Sequence, residues 1–269
     1  MRKLFALVVL LSVAPGWVLS LTPAETGRLQ AADVVILGEI HDNPDHHANQ
    51  ARWLQLQGPS AVVFEMLTPA QAALVSPDLL SDDAALAAAL DWSASGWPDF
   101  SMYSPVFKAS RSTRIYGAAM PRSDLGQVME TGIAPAFGAD ASAYGLTAAL
   151  PEDEQARREA FQHAAHCDAL PPEMLPIMVD IQRLRDATLA MAILDAWHKT
   201  GGPVAVVTGN GHARIDWGIP GYLTRVAPDL SVFSVGQSED GAITGPFDAV
   251  QSSPAVPRAD PCLAFAASD

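Results

Sequence analysis

Five short runs rich in Val and Ile punctuate the chain: Asp33–Leu37, Ala61–Phe64, Thr113–Ala118, Val204–Thr208 and Ser231–Val235. Most lie beside Gly or Pro, and they predict buried strands. Between them lie stretches that predict helices: Pro44–Gln57, Pro69–Val75, Asp82–Leu90, Ser101–Ser110, Ser123–Glu130, Glu152–His166 and Pro172–Lys199. A strand that reads apolar throughout, rather than alternating, is buried on both faces, which is the signature of a parallel sheet. The expectation is therefore an α/β fold with a mostly parallel central sheet covered by helices on both faces. Ala84–Leu90 and the middle of the chain, Glu152–Lys199, are expected to form a helical layer. The first long helix has a defined start, because Asn43 suits the N-cap and Pro44 the first helical position.

The first twenty residues read differently. Arg2 and Lys3 precede an apolar run, Leu4–Val13, too short to span a bilayer, and Val18 and Ser20 suit the small-residue positions of a cleavage site. This predicts a secretory leader over residues 1–20, cut after Ser20, and one α/β domain over 21–269. No Cys follows the apolar run, so no lipid anchor is expected, and the predicted location is the periplasm. The chain of 269 residues carries a net charge of −14, or −16 once Arg2 and Lys3 are removed. That balance argues against nucleic acid as a partner. An even pair of cysteines far apart, Cys167 and Cys262, predicts one disulfide in an oxidising compartment.

The candidate chemistry sits at strand ends, where open α/β sheets bind ligands. The first strand runs into Gly38-Glu39-Ile40-His41-Asp42-Asn43. Packing gives no reason to place Glu39 and His41 there together. The second strand ends in Glu65, and a carboxylate directly after a buried strand needs a partner. The fourth ends in Gly209-Asn210-Gly211-His212, repeating the Gly-x-x-His turn of the first. Two imidazoles and two carboxylates (Glu39, His41, Glu65, His212) suit a divalent transition metal such as iron, manganese or zinc. They equally suit acid–base hydrolysis. Of His46 and His47, on different faces of the first long helix, only one is expected to face the site. Gln182, Arg185 and Asp186 interrupt an apolar helix face, either as support for the site or as a salt bridge to the sheet. The aromatic stretch around Trp97, Phe100, Tyr103 and Phe107 suits either a small apolar core or the wall of a haem site, with Tyr103 as an iron ligand.

These residues resemble a known family. Gly38-Glu39-Ile40-His41-Asp42-Asn43-Pro44 with His47 and Gln50, Phe64-Glu65-Met66, Gly96-Trp97-Pro98-Asp99-Phe100 with Tyr103 and Pro105, Pro121-Arg122, His166-Cys167, Gln182–Asp186 and Gly209–Arg214 are similar to the ChaN-like haem-binding uptake family of the Tiki superfamily. Its wider relatives include TraB-type proteins and erythromycin esterases. The chain departs from the pattern in lacking a lipid-acceptor Cys and in carrying Met120 where the family has Asn. The resemblance implies an envelope protein linked to haem or iron uptake, with His41, His47, Tyr103, His212 and Arg214 as candidates for contact with haem. It implies a small-molecule ligand and uptake components of the envelope as partners, and leaves a homodimer open. The second reading is a metal-dependent hydrolase of a peptide, ester or lactone, with Glu39, His41, Glu65 and His212 as its catalytic residues.

Overall fold

A computed structural model of the protein describes residues 21–260 and 262–263, with backbone only for 122–125; the expected leader lies outside the described residues. The chain begins α1 (Pro23–Ala31), β1 (Val34–Leu37), α2 (Pro44–Gln57), β2 (Ala61–Phe64), α3 (Pro69–Leu74), a 3-10 turn at Leu79–Ser81, α4 (Asp83–Ala89), α5 (Trp92–Ser95), α6 (Phe100–Ala109) and β3 (Arg114–Gly117). It continues α7 (Arg122–Thr131), α8 (Ile133–Phe137), α9 (Glu152–Ala165), a 3-10 turn at Pro172–Met174, α10 (Leu175–Thr200), β4 (Val204–Val207), α11 (Asn210–Ala213), α12 (Ile219–Val226), β5 (Val232–Glu239) and β6 (Ala249–Ser253).

The six strands form one sheet in the order β3-β2-β4-β1-β5-β6, and every pairing is parallel. Right-handed crossovers then dictate the layers. The connections from β1 to β2 and from β2 to β3 run one way, and they place α2 and α6 together on one face. Those from β3 to β4 and from β4 to β5 run back, and they place α10 and α12 together on the other. Strand residues alternate between the two cores. Val35, Leu37, Val62, Phe64 and Val207 pack with Leu54, Leu86, Leu90 and Phe107, whereas Val34, Ile36, Val63 and Val206 pack with Leu184, Ala190, Ile193 and Leu223. Burying each such Val, Ile, Leu or Phe is worth about 1.5–3 kcal/mol. Ala84–Leu90 and Glu152–Lys199 therefore do not share a layer, since Leu86 and Leu90 lie on the opposite face from α10.

The sheet holds one strand more than the sequence pattern suggests. β5 continues four residues beyond Val235, to Glu239, and pairs there with β6. Gln237, Ser238, Gln251 and Ser252 are buried, but they are polar and give no apolar run to read. Burial is tolerated because the amides are bonded: Gln237 donates to the Gly38 carbonyl at 2.7 Å and the His46 carbonyl at 3.1 Å. Short helices were equally silent; α1, α5, α8, α11 and α12 span nine residues or fewer. Among the described residues no helix is long and apolar enough to cross a membrane.

Candidate functional site

Each site residue is delivered by a strand end. β1 stops at Leu37, and Gly38 then passes so close to its neighbours that a Cβ would stand 2.5 Å from Asn210 Oδ1 and 2.9 Å from Val235 O. The turn that follows swings Glu39 inward before Asn43 caps α2 by accepting the Asp45 N–H at 3.0 Å. β2 ends at Phe64, so Glu65 emerges at the same rim, as does His212 from α11 after β4.

Glu39 is 2% exposed. Its Oε1 accepts from His41 Nδ1 at 2.7 Å and from the Tyr103 hydroxyl at 2.7 Å, while His47 Nε2 lies 3.4 Å from Oε2. Burial alone would raise the Glu39 carboxyl, yet the hydrogen bonds and charges of His41 and His47 hold it below its ordinary value. Burial likewise opposes charge on His41, but the Glu39 bond and the Glu65 charge raise it. Of Glu39, His41, Glu65 and His212, His41 alone reaches solvent appreciably, at 36% exposure, with its ring centroid 4.9 Å from that of Trp97 in a T-shaped pair. Among the described residues its Nε2 finds no hydrogen-bond partner; it faces Gly209, where a Cβ would meet it at 2.9 Å. Glu65 Oε2 stands 3.7 Å from that same point.

Glu65 has the densest set of partners. Oε1 accepts from Arg185 at 2.5 Å and lies 3.3 Å from His212 Nε2; Oε2 accepts from the Thr208 hydroxyl and the Gly209 N–H, both at 2.7 Å. Against the cost of burial, His212, Arg185 and His41 hold it well below the usual carboxylate range. His212 Nδ1 lies 2.6 Å from Asp186 Oδ1, and the Gln182 amide is 2.9 Å from the same nitrogen. Burial opposes the charged imidazole, but Glu65 and Asp186 prevail and push it up to about 9. Asp186 moves up instead, because for it burial outweighs the His212 contribution.

The structure therefore brings Glu39, His41, Glu65 and His212 into one continuous polar cluster, backed by Gln182, Arg185 and Asp186 of α10. It does not bring every candidate to the surface of that site. Tyr103 is fully buried beneath Glu39 with its hydroxyl donated to that carboxylate, so it does not face the rim, and burial beside Glu39 raises its phenol far above the ordinary value. Both nitrogens of His212 face carboxylates, which leaves none for a ligand. His47 is buried against the Tyr103 ring at 4.1 Å. His46 is turned aside and its Nδ1 accepts the Ile40 N–H at 2.9 Å. Arg214 is buried, paired with Asp216 at 2.8 and 2.9 Å and stacked on Trp217 at 3.6 Å. Phe100 and Phe107 join Trp92 and Phe64 in a hydrophobic cluster, with Phe107 stacked on Phe64 at 4.6 Å. Among the described residues no group of three or more His, Cys, Asp or Glu is arranged to hold a metal ion.

Two contributors were not read from the sequence. Thr208 completes the Glu65 cage. Arg258, from the Pro-rich tail, forks onto Asp42 at 2.8 and 2.9 Å and onto Glu239 at 2.6 Å, tying the tail beside His41. Four residues later Cys262 is bonded to Cys167 with a Cα separation of 5.4 Å. The expected disulfide thus pins a strap along the rim. The signal for Arg258 was its proximity to that cysteine.

Comparison with known proteins fits this geometry into a family. A search of curated proteins finds no match. Among solved structures, one described as cofacial haem binding to ChaN of Campylobacter jejuni has 21% identity, covers 85% of this chain and 90% of that one, and superposes with a TM-score of 0.64. The type III effector HopBA1 has 12% identity, with 85% and 91% covered and a TM-score of 0.51. At such identities these two share the fold. The family model described as haem-binding uptake, Tiki superfamily, ChaN matches residues 26–223, and the chain belongs to that family.

Proposed function

We propose that this protein binds haem at the carboxyl rim of its sheet, with His41 as the iron ligand, and that it serves haem or iron uptake in the cell envelope. The family match and the resemblance to the Campylobacter jejuni haem complex support the ligand class. The observation that carries the residue is the state of His41. It is the exposed imidazole of the cluster, its Nδ1 is held by Glu39 at 2.7 Å, and its Nε2 makes no hydrogen bond among the described residues. A ring nitrogen fixed by a carboxylate orients the opposite nitrogen for a metal and strengthens it as a donor. Trp97, whose ring lies 4.9 Å from that of His41, gives an apolar flank for a porphyrin. Haem, when bound, supplies an iron centre whose properties its axial ligand tunes. The chain supplies orientation through Glu39 and Tyr103. The test is titration of the purified protein with haemin. A Soret shift is expected in wild type and in His198→Ala and lost in His41→Ala; an unchanged shift in His41→Ala removes His41 from the role.

One observation favours a second reading. His41 Nε2 and Glu65 Oε2 approach a common point beside Gly209, at 2.9 and 3.7 Å, where only a glycine leaves room. The imidazole edge of His41 thus packs against the Gly209 backbone with the caged Glu65 carboxylate behind it, and an imidazole that can take a proton from water beside a group that holds charge suits hydrolysis of a peptide, ester or lactone. Under this reading Glu39→Gln abolishes turnover of such a substrate. Under the first it leaves ligand binding measurable.

A further inference from the structure

Among the described residues β3 is the outer strand of the sheet, paired on one side only, with β2. The ladder phase is fixed by two bonds, from the Arg114 N–H to the Ser60 carbonyl at 3.0 Å and from the Ala118 N–H to the Phe64 carbonyl at 3.1 Å. Residues 114, 116 and 118 therefore turn their main-chain groups toward β2. Ile115 and Gly117 turn theirs outward. That outer edge does not lie flush with the surface. It forms the floor of a cleft of about 550 Å³, with Pro69 and Ala72 of the α3 segment on one wall and Met191 and Lys199 of α10 on the other. The lining is mostly apolar, and Met191 is 40% exposed. At Lys199 the cleft opens into a basin of about 500 Å³ that includes Arg111 and Arg114. Lys199 is balanced by Asp195 at 2.8 Å, but Arg114 donates to the Lys199 carbonyl at 3.2 Å and among the described residues has no carboxylate within ion-pair distance.

We infer that this cleft is a strand-addition site for an extended peptide segment of a partner protein, apolar along its length and acidic at the end that meets Arg114. Three occupants compete, and the cleft discriminates between them. An acyl chain would fill the apolar walls but leave the outward N–H and C=O groups of Ile115 and Gly117 desolvated without partners, which is costly. A second copy of this chain cannot offer its own β3, because that edge is equally recessed between helices. A single extended chain enters the cleft, satisfies the main-chain groups and offers alternate side chains to the two walls. At ~3.3 Å per residue, about four residues run the length of β3. An acidic residue beyond them reaches Arg114 and the neighbouring Arg111, whose guanidinium donates to the Leu80 carbonyl rather than to a carboxylate. The apolar walls also explain why the edge is sunk, since a flush edge beside exposed Met191 would invite aggregation.

The experiment uses two labelled heptapeptides, Val-Thr-Val-Thr-Val-Asp-Glu and Glu-Asp-Val-Thr-Val-Thr-Val, with fluorescence anisotropy as the readout on the disulfide-intact protein. Saturable binding of one of them is expected. N-methylation of its alternate amides along one edge should weaken binding at least tenfold, and along the other edge should leave it unchanged. Arg114→Glu and Met191→Arg should each weaken it at least tenfold, without altering the haemin spectrum or the far-ultraviolet circular dichroism. Absence of binding by both peptides overturns the proposal. Equal tolerance of N-methylation on both edges also overturns it, because the cleft is then an apolar trough without strand pairing. So does saturable binding of oleate that the peptides fail to displace.

Discussion

Replacing Glu65 with Gln tests how the buried half of the site is held together. The change keeps the shape of the side chain and removes its charge. Glu65 is 3% exposed, and Arg185, Thr208, the Gly209 N–H and His212 all converge on it. Moving an imidazole from 6.5 up to about 9 corresponds to roughly 3 kcal/mol of extra stability for its charged form in the fold. Because the folded value lies above the unfolded one, that stability is fully present below about pH 6.5 and is lost as pH rises through about 9. Glu65, Asp186, Arg185, Gln182 and His41 face this imidazole, and Glu65 contributes most in its favour. Glu65→Gln should therefore cost about 2–3 kcal/mol at neutral pH, somewhat below the ~3–5 kcal/mol typical of breaking a buried ion pair outright. Urea unfolding of both proteins at a series of pH values from 6 to 9.5, with the disulfide intact, measures the effect. Wild type should lose stability across that window, and the variant should start lower and lose much less. Parallel curves for the two proteins, or a flat wild-type curve, would refute the reasoning.

Other outcomes follow from the same contacts. Tyr103→Phe removes the buried hydroxyl bond to Glu39 and should cost on the order of 1.5–3 kcal/mol of stability, read by thermal or urea unfolding. Gly209→Ala places a methyl 2.9 Å from His41 Nε2; it should displace the imidazole and shift its NMR resonances while leaving those of His198 in place. Replacing Cys167 and Cys262 with Ser opens a closed loop of 95 residues, for which chain entropy gives about 4.7 kcal/mol, and the double variant should unfold at correspondingly lower urea. Arg258→Ala should free the tail next to His41, with faster amide exchange over residues 254–260 and little change elsewhere.

Where sequence and structure agree, one physical signal dominates. Runs such as Val34–Leu37 and Val204–Val207 are apolar because both sheet faces are covered, and that alone specifies parallel strands and helices on either side. The rim was legible for the opposite reason, since Glu39, Glu65 and His212 are charged or polar where burial penalises it. What stayed hidden was structure paid for in hydrogen bonds. β6 and the far half of β5 bury Gln237, Gln251 and Ser252, whose amides and hydroxyls look like loop in a sequence. Exposure was equally invisible: nothing in the spacing of the histidines says that His41 reaches solvent while His212 is enclosed by Glu65 and Asp186. Tyr103 illustrates the limit from the other side. Its helix position was read correctly, but its hydroxyl points inward to Glu39, because its ring is needed in the core with Trp92.

The most direct test of the central claim is to locate the iron. Crystals of the haemin-loaded protein, with data collected at the iron absorption edge, give its position independently of any assumed pose. The account predicts one anomalous peak at the carboxyl rim, within bonding distance of His41 Nε2 and flanked by Trp97. A peak in the β3 cleft, or anywhere that leaves His41 uncoordinated, would contradict it.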